Sequence, residues 1–213
     1  MIRPSKVSKI RGFTIVELMI ASTVLAVLLL IIATALIQMS RIYQKGIVKS
    51  QTQEVARRIS ATIAESIQFT TGNIQPGLTP AAGSQGFCVG NRIFSYLPSR
   101  QLTEGIPSAT QTRVGFIVAD RSGCPAVADD LLAKSLPLPS GEFELLATNT
   151  SVRVEQPQLV AGTDDLYTFA VTVSYGPMDL IDLANGECFG GSEDSHLCAS
   201  SRLETTVKRR IKE

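Results

Sequence analysis

Apolar and polar positions divide the chain into three regimes: a short polar head, one long apolar run, and an alternation of short runs and turns. Between Leu18 and Ile37, 17 of 20 residues are hydrophobic, and no charge occurs from Leu18 to Ser40. As a helix those 23 residues would be about 35 Å long, enough to cross the hydrocarbon of a bilayer. Ser22, Thr23 and Thr34 interrupt the run. Their hydroxyls can donate to carbonyls of the preceding turn, so they cost little. Past the run, Ile47/Val48, Val55, Ile59, Ile63 and Ile67 recur near every 3.6 residues, while Gln51, Gln53, Glu54, Arg57 and Arg58 occupy other faces. The pattern predicts one helix over 13–70, ended by Thr70-Thr71-Gly72-Asn73 and Pro76-Gly77. Gly46 is its weak point, at about 1 kcal/mol against Ala, and is read as tolerated rather than as a bend. The apolar stripe is a packing face for a sheet. A coiled coil fits less well, because charges beside the stripe are not sustained.

After residue 70 the period changes. Residues 71–86 are rich in Gly and Pro and read as loop. In Leu166–Tyr175, Tyr167, Phe169, Val171, Val173 and Tyr175 alternate with Thr168, Ala170, Thr172 and Ser174, which predicts a strand. Further β-like runs lie near Phe87–Leu97, Arg113–Ala119, Glu142–Thr148, Ser151–Gln156 and Arg202–Ile211. Asp129–Lys134 reads as a short connecting helix. In the last run Leu203, Thr205, Val207 and Ile211 oppose Arg202, Glu204, Lys208 and Arg210. One polar face implies an antiparallel sheet covered on one side, with the helix stripe as the cover. The expected fold class is α+β: a long amino-terminal helix, membrane-spanning in its first half, packed on an antiparallel β-sheet.

Composition sharpens this picture. At 213 residues and 22.9 kDa the chain suits one domain with an appendage. A single apolar run excludes a polytopic membrane protein. Ordinary Gly, Pro and charge content excludes a disordered or collagen-like chain. The net charge of +1 argues against a dedicated nucleic-acid binder. Charge is uneven, however. Residues 1–12 hold Arg3, Lys6, Lys9 and Arg11 and no acid. Without them, 16 basic side chains stand against 19 acidic ones, a net of −3.

A secretory signal peptide would explain the basic head and the small-x-small triplet Ala33-Thr34-Ala35, but the apolar run continues through Leu36 and Ile37. A plain signal anchor has only a modest charge bias, with Arg41, Lys45 and Lys49 following the span. Neither explains Glu17, a carboxylate one residue before the charge-free run. The bland alternative is a helix-end Glu lying at the headgroups.

The string Lys9-Ile10-Arg11-Gly12-Phe13-Thr14-Ile15-Val16-Glu17-Leu18 resembles the processing site of type IV prepilins. The resemblance implies cleavage by prepilin peptidase between Gly12 and Phe13, N-methylation of Phe13, and a role for Glu17 in assembly. Gly12 carries no side chain, so a peptidase can approach the bond closely. Cleavage would remove four positive charges and free an amine on Phe13. In the family that amine is thought to meet the Glu carboxylate of a neighbouring subunit. An ion pair in apolar surroundings is worth far more than in water, and an unpaired carboxylate there is penalised. The same resemblance implies a long helix laid on an antiparallel sheet.

Cys88, Cys124, Cys188 and Cys198 all lie beyond the span. An even count in an exported domain suggests disulfides. Of three pairings, spacing favours Cys188–Cys198, which leaves Cys88–Cys124. The first resembles the carboxy-terminal disulfide loop of many type IV pilins. Cys188, Glu193, Asp194, His196 and Cys198 also raise a metal reading, but zinc would want tighter ligand spacing. Calcium suits the oxygens of Gly191–Ser195 better, although a solvated acidic loop is the simpler reading. No metal, cofactor or catalytic set is therefore assigned: His196 is the only histidine, and no nucleophile or phosphate-binding motif occurs. Lys208-Arg209-Arg210 and Lys212 form a basic end without aromatic neighbours for stacking, so nucleic acid is not an expected partner. The Asn149-Thr150-Ser151 sequon is common by chance.

These readings converge on a leader over 1–12, a membrane and filament-core helix over 13–40, its exposed half over 41–70 and a β-rich head over 71–213. The expected function is that of a minor pilin or a type II secretion pseudopilin, non-enzymatic, with its amino terminus cytoplasmic and its head outside. The size of the head favours these over a major pilin. Its expected partners are other pilin subunits, the prepilin peptidase, the inner-membrane assembly platform and, before assembly, lipid. A filament-tip adhesin or DNA-binding module, or a membrane-anchored extracellular enzyme, are the alternatives.

Overall fold

The computed structural model describes residues 13–78, 85–99, 116–120, 123–124, 142–146, 150–182, 184–189 and 197–211. The first element is one continuous helix, α1 (Ile15–Phe69). It passes through Gly46 without a break, and a methyl group there would touch nothing within 4 Å. The chain divides into two units at Tyr43/Gln44. Up to Tyr43 the helix exposes its apolar side chains all round, and it is long and apolar enough to cross a membrane.

From Thr52 onward α1 is amphipathic. Val55, Ala56, Ile59, Ile63 and Ile67 are buried, four of the five on the stripe expected from the sequence. Ile47 at the start of that stripe stays exposed and Val48 is half-buried. The buried face packs on two antiparallel sheets. The first is a five-stranded meander in the order β1 (Ile74–Leu78), β2 (Gln85–Val89), β3 (Arg92–Tyr96), β4 (Phe116–Asp120), β5 (Glu142–Glu144). The second has three strands, β6 (Thr150–Leu159), β7 (Leu166–Tyr175) and, after the short β8 (Ile181–Asp182) and β9 (Glu187–Cys188), β10 (Ala199–Lys208). Its order is β10-β7-β6. One core joins helix and sheets: Ile59 and Ile63 of α1, Phe94 and Tyr96 of the first sheet, Val171 and Val173 of the second.

Several boundaries differ from the sequence reading. The run Phe87–Leu97 is a hairpin and not one strand, with Val89 opposite Arg92 across Gly90-Asn91. Gly90 takes φ +59°, which supplies the positive φ that the first position of a tight hairpin turn requires. Ile74–Leu78, expected as loop, is the outer strand β1. Pro76 and Gly77 survive there because β1 has a single ladder partner and an irregular register between Gln75 and Leu78. β6 likewise runs through Pro157 by shifting register between Glu155 and Gln158. β10 starts three residues earlier than expected, at Ala199, and ends at Lys208. Nor is the first sheet polar on one side. Cys88, Ile93 and Ala119 form a second buried cluster with Leu78, on the face away from the helix. The expected helix over Asp129–Lys134 lies outside the described residues.

Polar side chains tie the two sheets together. The Tyr96 hydroxyl donates to Val154 O at 3.0 Å. Gln156 Nε2 donates to Gly86 O at 3.0 Å, and Gln156 Oε1 accepts from the Gly77 amide. Burial pushes the Tyr96 hydroxyl up to about 12. Beside them, the Ser99 amide donates to Val152 O at 2.9 Å.

Candidate functional site

The residues singled out for processing lie at the head of α1. Gly12 is outside the described residues. Phe13 precedes the helix and is 80% exposed. Thr14 stands at the N-cap, since the first helical bond runs from the Leu18 amide to Thr14 O at 3.2 Å. The Glu17 amide donates to Thr14 Oγ1 at 3.3 Å, and the Thr14 amide donates to Glu17 Oε2 at 3.5 Å. This reciprocal pair is a capping box, satisfying two amides that a helix start leaves without partners. The carboxylate also lies in the first turn, where the helix dipole favours negative charge. Glu17 is therefore held by Thr14, a role the sequence reading did not assign. The signal was present: Thr14-Ile15-Val16-Glu17 is the T-x-x-E spacing directly before an apolar run.

From Leu18 to Ile37 the only polar side chains of the helix are Ser22, Thr23 and Thr34. Ser22 Oγ donates to Met19 O at 2.9 Å, Thr23 Oγ1 to Ile20 O at 2.9 Å and Thr34 Oγ1 to Ile31 O at 2.8 Å. All three hydroxyls are thus satisfied within the helix, as hydrocarbon surroundings require. Leu25, Leu28, Ile31 and Ile32 remain more than half exposed. An apolar surface of this extent needs lipid or other helices around it.

Two disulfides brace the sheets. Cys88 of β2 bonds Cys124 with Cα atoms 5.7 Å apart, and Cys188 of β9 bonds Cys198 with Cα atoms 5.9 Å apart. This is the pairing that spacing favours. Gly176 permits the second: at φ +140°, its missing Cβ would stand 2.8 Å from Leu197 O and 2.9 Å from Cys198 Cα. Glu193, Asp194 and His196 of the metal reading lie outside the described residues. Among the described residues no three His, Cys, Asp or Glu side chains cluster around a possible ion.

Lys212 lies outside the described residues, and the other basic carboxy-terminal residues do not act together. Arg209 turns inward, with Nη2 donating to Gly72 O at 3.3 Å and to Tyr167 Oη at 3.4 Å and its guanidinium 5.6 Å from the Tyr167 ring centroid. Lys208 and Arg210 remain exposed. Arg92 also serves the framework, its Nε 2.9 Å from Asp120 Oδ1 and its Nη1 3.2 Å from Ser66 Oγ.

Residues 7–33 match the prokaryotic N-terminal methylation motif. No curated protein and no solved structure matches the chain. Together with the long apolar helix that carries it, the motif is consistent with a type IV pilin-like protein.

Proposed function

We propose that the chain is a minor pilin or pseudopilin, a structural subunit of a type IV pilus or related secretion or DNA-uptake filament. A prepilin peptidase cuts between Gly12 and Phe13 and Phe13 is N-methylated. The subunit then waits in the membrane, amino terminus in the cytoplasm and head outside. The inner-membrane assembly platform delivers it to the filament, where α1 packs among the helices of other subunits. Its work is structural rather than catalytic.

One observation carries this reading. A capped, acid-bearing helix start leads directly into a charge-free, mostly apolar surface that stays exposed from Leu18 to Ile37. Lipid satisfies that surface before assembly, and neighbouring helices do so afterwards. In the filament the freed Phe13 amine of one subunit pairs with the Glu17 carboxylate of another. Low-dielectric surroundings penalise any register that leaves Glu17 unpaired. The size of the head, residues 71–213, supports a minor subunit, because a bulky head fits a filament end more easily than every repeat.

Mass spectrometry of the amino terminus tests the reading. The expected terminus is Phe13 carrying one methyl group. An intact Met1, or a terminus at Leu36, overturns it.

A further inference from the structure

Between Glu17 and Glu54 the chain contains no acid, and its only charges there are Arg41, Lys45 and Lys49. All three lie on α1 and all three are exposed. Steps of four residues advance about 40° around a helix, so the three cations fall within about 80° of its circumference and about 12 Å of its length. Among the described residues no ion pair engages them. The stripe begins where the charge-free run from Leu18 to Ser40 ends, with exposed Tyr43 beside it. An amphipathic aromatic ring at that depth is typical of a membrane–water boundary.

We infer that Arg41, Lys45 and Lys49 form a docking stripe for the anionic phospholipid headgroups of the head-side leaflet, holding the processed subunit at a fixed height before it joins a filament. The inference rests on the membrane topology proposed above. If the run Leu18–Ser40 fills the hydrocarbon, the stripe enters the headgroup layer at Arg41 and leaves it near Lys49. Three cations without a nearby acid complement lipid phosphates and have no counterpart elsewhere on the helix. Loss of the leader sharpens the asymmetry. Before the cut, Arg3, Lys6, Lys9 and Arg11 face the opposite leaflet. After it, only an amine and Glu17 remain on that side, and the three cations become the dominant attraction to anionic lipid.

The test uses processed protein purified in a zwitterionic detergent, doped with equal amounts of phosphatidylglycerol and phosphatidylcholine. Native mass spectrometry counts the lipid retained. The wild type should retain phosphatidylglycerol in preference, less so as salt rises. Arg41→Gln, Lys45→Gln and Lys49→Gln should each lower that preference roughly fivefold, and the triple variant roughly a hundredfold. Lys45→Arg should keep it. Equal retention of the two lipids by the wild type overturns the inference, as does a triple variant that keeps the preference. Displacement of the lipid by inorganic phosphate at matched concentration would make this a phosphate site instead. A triple variant that fails to enter filaments while keeping its lipid preference would assign the stripe to an acidic protein partner. The same spectra give the terminal mass, so a failure of processing is seen separately. If the leader is intact it is common to all variants, and their difference still reports the stripe.

Discussion

Glu17 caps the helix, and the role in assembly proposed for it separates from the cap by substitution. As a cap it needs an acceptor oxygen that can reach the Thr14 amide, which Gln also provides. As a partner for a neighbouring amine it needs negative charge, which Gln lacks. Glu17→Gln should therefore leave the helix start and cleavage after Gly12 intact while impairing assembly. Glu17→Ala should lose both the cap and assembly, again with cleavage intact. Thr14→Ala keeps the charge and removes one half of the box, loosening the first turn by about 1 kcal/mol. Amide hydrogen exchange over the first turn, with filament incorporation on the same variants, distinguishes the two. Normal assembly of Glu17→Gln would remove the charge from the mechanism. A second single-residue effect concerns Tyr96, whose hydroxyl is raised from 10.0 to about 12 by burial. The unfolded chain releases that proton first, so the contribution of Tyr96 is complete below pH 10 and is lost as pH rises from about 10 to about 12. Denaturation curves over that window should be steeper in pH for the wild type than for Tyr96→Phe. Equal slopes would show that Tyr96 does not control the alkaline limb.

Elements were legible where large apolar residues keep to one face and small or polar ones to the other, even in β7, where Phe169 to Ser174 are all buried. α1 and β7 announce themselves by periods near 3.6 and 2, and the ends of α1 fall within two residues of expectation. The first sheet was harder to read, because large apolar residues occupy both faces: Ile93 and Phe94 are adjacent and both buried, so β3 shows no alternation. β2 and β3 fused into one expected run because their turn is only Gly90-Asn91. β1 was hidden by Pro76 and Gly77, which an outer strand tolerates. Gly90 now shows its purpose. Beyond its positive φ, a Cβ there would stand 1.8 Å from Thr70 Oγ1, where the chain leaves α1. Gly90→Ala should thus destabilise the head more than a typical surface change, with the hairpin and the end of α1 loosening together in hydrogen exchange. Protection lost only in the hairpin would mean that Thr70 simply moves aside. Ile63, fully buried between helix and sheets, should cost about 2–5 kcal/mol as Ile63→Ala, read from the denaturant midpoint.

On the scale of the whole molecule, two surfaces make opposite demands. Up to Tyr43 the helix exposes its apolar side chains, whereas the buried cluster draws every member from Val55 onward. The motif around Gly12, Phe13 and Glu17 was legible because these residues lie within six positions of one another and need no tertiary contact. The joining of the sheets through Tyr96, Gln156 and Ser99 was not, because those contacts link residues far apart in the chain. The division at Tyr43/Gln44 has a direct consequence. A segment over 44–213 retains the whole cluster and both disulfides and omits the exposed apolar run. It should therefore fold in one cooperative transition and stay in the aqueous phase of a detergent partition, while the full chain enters the detergent. Intact mass should show the four cysteines oxidised. The bridges span 36 and 10 residues, so chain entropy assigns them roughly 4 and 3 kcal/mol respectively. Replacing Cys88 and Cys124 by Ser should accordingly lower the denaturant midpoint more than replacing Cys188 and Cys198. The reverse order would place the greater constraint in the carboxy-terminal loop. A segment that partitions into detergent would mean that the head carries its own membrane-binding surface, separate from α1.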